Sequence, residues 1–296
     1  MRKRSLSAIF WPIEIVLIIY FLITYILLAV YHVQLPDVLA HAVKRGILFV
    51  AYIFIIYLQS RYRQVNTFYG LRLFAPLILL PFLYKETDYF NNLFFTENLD
   101  PFFARAEEAL FHTQPSLMFS EKFHVRVFSE LMYFGYFSYY LLIVSVPLYA
   151  YLKLGKDIAE RMIFIIISSF LIYYFVFILF PVAGPQFYFP GSADALPKGY
   201  FFGPLMKYIQ MNGEGQTGAF PSSHVSICLI LLYFCFNDIR KSLPFVLIIS
   251  VLLILSTVYL KAHYVIDVLA AFIITPIVYI ISEGLYNKMT HFNLST

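Results

Sequence analysis

The C-terminal part of the chain contains a histidine and an aspartate at a spacing that suits nucleophilic or acid–base chemistry. His263 and Asp267 lie four residues apart in the segment STVYLKAHYVID, residues 256–267. Residues at this spacing share one face of a helix, so the two side chains can form a hydrogen bond. An aspartate that holds one ring nitrogen leaves the other nitrogen directed as a nucleophile or a base. Metal binding is the competing interpretation, since a histidine and a carboxylate can share a zinc ion, but no further suitable ligands stand nearby.

A second polar group, the segment GAFPSSH at residues 218–224, stands directly before an apolar run. Pro221 suits the first turn of a helix, and the free backbone N–H groups of such a turn bind anions with help from the helix dipole. Ser222, Ser223 and His224 add side-chain donors at the same point. Phosphate is the natural ligand for this arrangement, and simple helix capping by the serines is the alternative.

These polar residues are conspicuous because the remainder of the chain is strongly apolar. Of the 296 residues, 61% are hydrophobic, 20% are aromatic and only 13% are charged, whereas soluble domains contain about 45–50% apolar and about 25% charged residues. A mean hydropathy of +0.76 indicates a protein whose main solvent is lipid, and it excludes a disordered chain or a conventional soluble enzyme. The net charge of +4 comes from 21 basic and 17 acidic residues that are scattered, which excludes a nucleic-acid partner.

Eight apolar runs predict an all-α fold, a polytopic transmembrane helix bundle of about eight spans. The second and third runs are short, and Pro76 and Pro81 predict a kink or only partial insertion in the third. Between the third and fourth runs, residues 85–130 are richer in acids and predict either short interfacial helices or an ordinary folded loop. We expect N-terminal transmembrane spans at residues 1–84 and a second transmembrane domain at residues 85–296. The runs are residues 9–31, 43–58, 68–84, 131–152, 161–181, 221–236, 243–260 and 264–286.

The charges outside these runs predict the orientation of the bundle. Short inner segments rich in Lys and Arg satisfy the positive-inside rule if both termini are cytoplasmic. Residues 182–220, the segment before the fourth run and the turn near Lys261 then face the extracytoplasmic side, which places the candidate site there. The basic residues assigned to the inside are Arg2, Lys3, Arg4, Arg61, Arg63, Arg72, Lys153, Lys156, Arg161, Arg240, Lys241 and Lys288.

The segments FPSSH and STVYLKAHYVIDVLA resemble the second and third signatures of the type-2 phosphatidic acid phosphatase superfamily. Within it, the chain is similar to bacterial-type members of the branch that contains inositol phosphorylceramide synthases. The resemblance runs from about Asp88 to the C-terminus, which identifies residues 85–296 as a phosphatase-like catalytic domain with a six-helix core. The preceding Gly184-Pro185-Gln186 is similar to the Gly-Pro-Arg element of that branch, but Gln186 replaces its arginine.

The resemblance implies definite roles for the site residues. His263 would attack phosphorus and form a phosphohistidine, with Asp267 orienting it, and His224 would protonate the leaving oxygen. The phosphoryl oxygens would be held by Ser222, Ser223, Lys261 and the Gln186 position. No metal or other cofactor is implied. The usual Lys-x6-Arg-Pro signature is missing, and Lys198 and Lys207 are candidates for the missing positive charge.

Three functions remain open on the sequence alone. The first is a lipid phosphatase or phosphotransferase that hydrolyses a lipid phosphate at the extracytoplasmic face of a bacterial inner membrane or an equivalent membrane. The second is a transferase that moves a phosphoryl-headgroup from a phospholipid to a lipid alcohol, as inositol phosphorylceramide or sphingomyelin synthases do. The third is a non-catalytic membrane transporter or lipid-binding protein. The expected partners are a lipid phosphate or phospholipid substrate and membrane lipids, and the sequence identifies neither the lipid nor the oligomeric state.

Overall fold

The computed structural model describes residues 10–192 and 195–294, with side chains up to residue 290. Over these residues the fold is entirely helical and contains no strand, which confirms the predicted polytopic helical bundle. Arg2, Lys3 and Arg4, which we predict to be cytoplasmic, lie outside the described residues. The predicted start of the first span at residue 9 lies outside them as well. The helices, in chain order, are α1 Pro12–Val30, α2 Val38–Arg61, α3 Asn66–Tyr89, α4 Asp100–Phe111, α5 Pro115–Lys122, α6 Arg126–Lys153, α7 Lys156–Leu179, α8 Pro185–Tyr188, α9 Phe202–Gly213, α10 Ser223–Asn237, α11 Leu243–Tyr259 and α12 Val265–Leu294.

Seven of the described helices are long and apolar enough to cross a membrane, namely α1, α2, α3, α6, α7, α12 and α11 together with the short 3-10 helix Arg240–Ser242 that precedes it. The remaining predicted span, residues 221–236, corresponds to α10, which is apolar but has only 15 residues. The short second and third runs belong to α2 and α3, which each have 24 residues. Pro76 and Pro81 both lie inside α3. Long helices satisfy their own backbone hydrogen bonds, which is what a lipid environment requires, and membrane helices tolerate internal proline.

The middle of the bundle is formed by α7 and α10. In α7, 78% of the most apolar 18-residue stretch is buried, against 17% in α2, which lies at the periphery. Helix α6 packs along α11 at very short range. A Cβ atom added to Gly135 would lie 2.8 Å from the Leu252 Cγ atom and 2.9 Å from its carbonyl oxygen, so only glycine allows these helices to approach so closely.

Helices α1 and α3 pack against α7, and they are joined by a buried ion pair. The Glu14 carboxylate accepts two hydrogen bonds of 2.6 Å from the Arg72 guanidinium, and the two side chains are 1% and 3% exposed. Glu14 is therefore a buried hydrogen-bond partner of Arg72. An ionisable pair held in this way can be buried because each charge is compensated by its neighbour.

Helices α4 and α5 occupy the acidic stretch before the fourth run, and α4 begins at Asp100. These helices pack on the starts of α8 and α12 and on α11. They therefore lie beside the end of the bundle at which the two histidine segments meet. This end is formed by the connections α7–α8, α9–α10 and α11–α12.

Candidate active site

Three connecting segments are joined by backbone hydrogen bonds at this end of the bundle. Ala219 N–H donates to the Val182 carbonyl at 3.0 Å, and Gln186 N–H donates to the Lys261 carbonyl at 2.8 Å. Gly184 makes the turn between them with a φ of +95°, where a Cβ atom would lie 2.6 Å from the Ala262 carbonyl oxygen. Glycine is required for both reasons, because other residues avoid positive φ and any side chain would collide with the neighbouring backbone. The segments that precede His224 and His263 are thus held in a fixed relation.

His263 lies on this framework with its imidazole almost fully enclosed. Its Nδ1 atom is 2.8 Å from the Ala219 carbonyl oxygen, and the residue is 2% exposed. A carbonyl oxygen can only accept, so Nδ1 carries the hydrogen and the lone pair of the ring is on Nε2. Burial lowers the pKa of His263 to about 4, although the hydrogen bond to Ala219 and the nearby Glu214 raise it. The imidazole is therefore neutral near pH 7, which is the form that a nucleophile requires.

His224 stands in the first turn of α10 and faces His263. The His224 Nδ1 atom is 3.2 Å from His263 Nε2, so the N–H of His224 donates to the free lone pair of His263. The His224 ring lies between Tyr136 and Tyr139, with ring centroids 4.8 Å and 4.2 Å away. These aromatic contacts fix the plane of the imidazole. The structure therefore brings together the two histidines that the sequence places 39 residues apart.

Asp267 lies close to His263 but is not the atom that holds its ring. The Asp267 Oδ2 atom accepts from the Tyr264 N–H at 2.8 Å and lies 3.7 Å from His263 Nδ1. That separation is an ion-pair distance, longer than a hydrogen bond. The Ala219 carbonyl is the direct partner of Nδ1. Asp267 is thus placed to stabilise positive charge that develops on the His263 ring, and the backbone supplies the orientation that we expected from the aspartate.

Ser222 and Ser223 lie at the start of α10, directly before His224. Ser222 is the N-cap, and its hydroxyl accepts from the Val225 N–H at 3.3 Å. Its own N–H donates to the Asp267 carbonyl at 3.3 Å, which connects α10 to α12. Both Ser222 and Ser223 are buried. Capping, the alternative that we left open, is therefore the contact that the structure contains for the Ser222 hydroxyl.

Lys261 is turned away from the position expected for a phosphate ligand. Its ammonium donates to the Ser192 carbonyl at 3.0 Å, and the residue is 1% exposed. Burial lowers the pKa of this ammonium, while Glu121 raises it. The backbone of Lys261 has a φ of +60°, a left-handed conformation, and from this turn the side chain reaches Ser192. The sequence spacing between Lys261 and His263 does not reveal this left-handed turn. We therefore expected the ammonium group near the phosphate position, whereas the structure places it at the Ser192 carbonyl.

Gln186 is placed beside the two histidines. It lines a narrow cavity of about 10 Å³ together with His224 and His263, and Ser222, Ser223 and Lys261 are not among the described residues that line it. The Gln186 amide donates to a carboxylate oxygen of Glu214 at 2.6 Å. Glu214 lines the same cavity. We did not expect this acid, and its only sequence signal is its isolated place between Gly213 and Gly215, ten residues before His224.

Asp100 is a second acid that sequence analysis missed as a site residue. Its carboxylate accepts from the N–H groups of Ala183 and Gly184, both at 2.8 Å, and from the Tyr264 hydroxyl at 3.0 Å. It thereby connects the Gly184 turn to the residue that follows His263. Burial raises the pKa of Asp100, while these three donors lower it. On the same helix, Glu107 accepts from the Val265 N–H, and burial raises its pKa to about 7. Helix α4 thus fixes the loop that carries His263.

A larger cavity of about 740 Å³ adjoins the histidine cavity, and we call it the vestibule. The two share Gln186, Phe187 and Glu214, and the vestibule also contains Arg126, Lys198 and Lys207. The lysines that we considered as replacements for a missing charge therefore lie in the vestibule and do not line the histidine cavity. Within the part of the chain that the structure describes, no group of three or more His, Cys, Asp or Glu side chains could hold a metal ion.

Comparison with known proteins identifies the family. A family model described as the PAP2 superfamily matches residues 102–281, more than half of the chain. The protein belongs to the PAP2 superfamily. The match includes His224, His263 and Asp267, so the motifs that suggested this resemblance lie inside the PAP2 region.

A curated relative agrees with the PAP2 assignment at low identity. The chain is 24% identical over 193 residues to a PA-phosphatase related-family protein of Dictyostelium discoideum. The alignment covers 58% of this chain and 35% of the relative, so the chain spans about a third of the length of that protein. No solved structure was found to match the chain. The chain is thus a PAP2-superfamily protein in which seven of the described helices are long and apolar enough to cross a membrane.

Proposed function

We propose that the protein transfers the phosphoryl group of a lipid phosphate to water through a phosphohistidine on His263. The observation that carries this proposal is the pairing of His263 Nε2 with His224 Nδ1 at 3.2 Å, while His263 Nδ1 is held by the Ala219 carbonyl. This geometry gives a neutral, oriented nucleophile with a proton donor beside it. The proposal needs no metal ion, because nitrogen supplies the attacking electron pair and the second histidine supplies the proton.

In the first step, the lone pair of His263 Nε2 attacks phosphorus, and the bond between phosphorus and the lipid oxygen breaks. Protonated His224 gives its proton to the leaving oxygen, which departs as the lipid alcohol. The phosphoryl group enters where the two rings now meet, so it replaces the hydrogen bond between them. The ring of His263 becomes positively charged, and the Asp267 carboxylate 3.7 Å away stabilises that charge.

In the second step, neutral His224 takes a proton from an incoming water molecule, whose oxygen attacks phosphorus. The bond between phosphorus and Nε2 breaks and returns the electron pair to His263. Inorganic phosphate is released and His224 is protonated again. The same histidine thus acts first as an acid and then as a base, which closes the catalytic cycle.

A transferase is the second candidate, and the vestibule is the observation that favours it. A cavity of about 740 Å³ beside the histidines has room for a headgroup or an acceptor that simple hydrolysis does not need. In this variant a lipid alcohol replaces water in the second step, with the same phosphohistidine chemistry. A headgroup transferred from a phospholipid is the chemistry of the inositol phosphorylceramide synthase-like branch that the sequence resembles.

Purified protein in detergent distinguishes these two reactions. We expect release of inorganic phosphate from a dispersed lipid phosphate, without added metal and in the presence of a chelator. If phosphate is not released but a labelled headgroup moves from a phospholipid to added ceramide or diacylglycerol, the transferase is correct. If neither product forms across a panel of phospholipids, the enzymatic proposal fails.

We also propose that the site opens on the extracytoplasmic side of the membrane, with both termini in the cytoplasm. The support is the charge distribution, since Lys153 and the α10–α11 connection with Arg240 and Lys241 lie at the end of the bundle opposite to the histidines. Lys198 and Lys153 are both exposed, and the natural Cys228 and Cys235 are buried.

Cysteine labelling in intact cells tests this orientation. Lys198→Cys is expected to react with a membrane-impermeant thiol reagent before lysis, because the connection α8–α9 faces outward. Lys153→Cys is the matched variant at the other end and is expected to react only after lysis. The opposite pattern would reverse the orientation.

A further inference from the structure

The histidine cavity has an unusual charge composition for a site that receives a phosphoryl group. Of the described residues that line it, none is Lys or Arg, and the carboxylate of Glu214 faces the two histidines. Lys261 is the basic residue nearest to His263 in the sequence, and its ammonium donates a hydrogen bond to the Ser192 carbonyl. A phosphoryl anion that enters this cavity therefore meets a carboxylate and, among the described residues, no Lys or Arg side chain. Ionised Glu214 would repel it.

Glu214 is held in place by hydrogen bonds to both of its oxygens. Oε1 accepts from the Tyr136 hydroxyl at 2.9 Å, and Oε2 accepts from the Gln186 amide at 2.6 Å and from the Gln210 amide at 3.4 Å. The carboxyl group lies at the boundary of the histidine cavity and the vestibule, since it lines both. It cannot turn away from an incoming anion without the loss of these contacts.

We propose that Glu214 is a substrate-binding residue that acts in its protonated form, so that binding of the phosphoryl group is coupled to the uptake of one proton. This inference rests on the proposed function, because it assumes that the cavity receives a phosphoryl group. With a proton on Oε1, the carboxyl group donates a hydrogen bond to a phosphoryl oxygen. Oε2 remains the acceptor for the two glutamine amides. The repulsive charge thereby becomes a donor beside Gln186, the residue that replaces the arginine of the branch that the sequence resembles.

The surroundings of Glu214 favour the protonated form once an anion is bound. Burial raises the pKa of Glu214, while the hydrogen bonds from Gln186 and Tyr136 lower it, and a protonated His263 ring would lower it as well. A bound phosphoryl anion raises it further, because two like charges in contact favour the neutral carboxyl group. The other titratable groups that face it are His224 in the cavity, Tyr84 of α3 and Tyr140 of α6.

Charged side chains farther from Glu214 influence how readily it is protonated, but they do not supply the hydrogen-bond donor that a proton on Glu214 would provide. Arg126, Lys198 and Lys207 share the vestibule with Glu214, although Arg126 already donates to the Gly199 carbonyl. Asp88 of α3 accepts from the Gln216 N–H, two residues beyond Glu214. Because tyrosine hydroxyls stay neutral near pH 7, the groups in the cavity that can take up a proton there are Glu214 and the histidines.

Sulfate binding tests this coupling without turnover. Sulfate is a tetrahedral dianion whose charge does not change between about pH 5.5 and about pH 8.5. We expect its Kd for the wild-type protein to rise over this range about ten-fold more than its Kd for Glu214→Gln, whose amide cannot ionise. Exposed Glu97, mutated in Glu97→Gln, is the matched control and should behave as the wild type. An equal rise in wild type and Glu214→Gln would overturn the proposal, and so would loss of sulfate binding by Glu214→Gln at every pH.

Proton uptake provides a second measurement that the wild-type protein alone can decide. Calorimetric titration with sulfate near pH 7, in two buffers of different ionisation enthalpy, is expected to show uptake of about one proton in the wild type and none in Glu214→Gln. No uptake by the wild type would contradict the inference even if the variant fails to fold, and equal uptake by both proteins would assign the proton to a histidine. If sulfate shows the expected pattern but no lipid phosphate is turned over, the proposed function fails and the role of Glu214 stands.

Discussion

His263→Ala is expected to abolish phosphoryl transfer, with a loss of at least about ten-thousand-fold in kcat. The variant removes the nitrogen that forms the covalent bond, and His224, the other histidine of the cavity, is already used to move the proton. Its fold should survive, because the Ala219 carbonyl loses one hydrogen bond and the backbone connections of residues 182, 186, 219 and 261 remain. The measurement is the rate of phosphate release, or of headgroup transfer, by purified protein.

His124→Ala is the matched control for that variant. His124 is exposed, and its ring contacts only the Glu121 carbonyl among the hydrogen bonds of the described chain. We expect wild-type activity from this variant. If His263→Ala retained more than about one hundredth of the wild-type rate, the covalent mechanism would have to be abandoned.

Asp100→Ala is expected to reduce both stability and activity, although Asp100 lies outside the histidine cavity. The substitution removes the acceptor of three buried hydrogen bonds, from Ala183, Gly184 and Tyr264. Since buried donors without a partner are costly, we expect a loss of about 3 kcal/mol in unfolding free energy. The apparent Tm should fall by about 6–12 °C. The rate should fall about a hundred-fold, because the loop that carries His263 loses its fixed position.

Glu108→Ala separates this effect from a general weakening of α4. Glu108 follows Glu107 on the same helix but is exposed. The variant should keep the wild-type Tm to within about 1–2 °C and the wild-type rate. Equal losses in Glu108→Ala and Asp100→Ala would show that the helix as a whole, and not the carboxylate of Asp100, supports the site.

The membrane bundle could be predicted from the sequence because lipid imposes a strong and simple rule. Long apolar runs must be helical, and they are, from α1 at Pro12–Val30 to α12 at Val265–Leu294. The ends of α2 and α3 were less predictable, because polar residues extend each helix beyond its apolar stretch. Composition identifies the part of a helix that suits lipid, whereas backbone hydrogen bonding and capping determine where the helix ends.

Motif spacing identified which residues lie near one another but not which atoms are in contact. His224 and His263 meet, as the two segments suggest. The partner of His263 Nδ1 is a backbone carbonyl, which has no sequence signature, and Lys261 is redirected by a left-handed turn. Glu214 and Asp100 reach the site only through tertiary packing. A single acid in a loop contains no periodic signal, so only the folded arrangement reveals it.

The most direct test of the account is detection of the covalent intermediate on His263. Protein mixed with a lipid phosphate and quenched in alkali, which preserves phosphohistidine, can be digested and examined by mass spectrometry. The account predicts a phosphate on the peptide that contains His263 in the wild type, and no phosphopeptide in His263→Ala. Turnover with phosphate on His224, or with no phosphorylated peptide under conditions in which breakdown of the intermediate limits the rate, would contradict it.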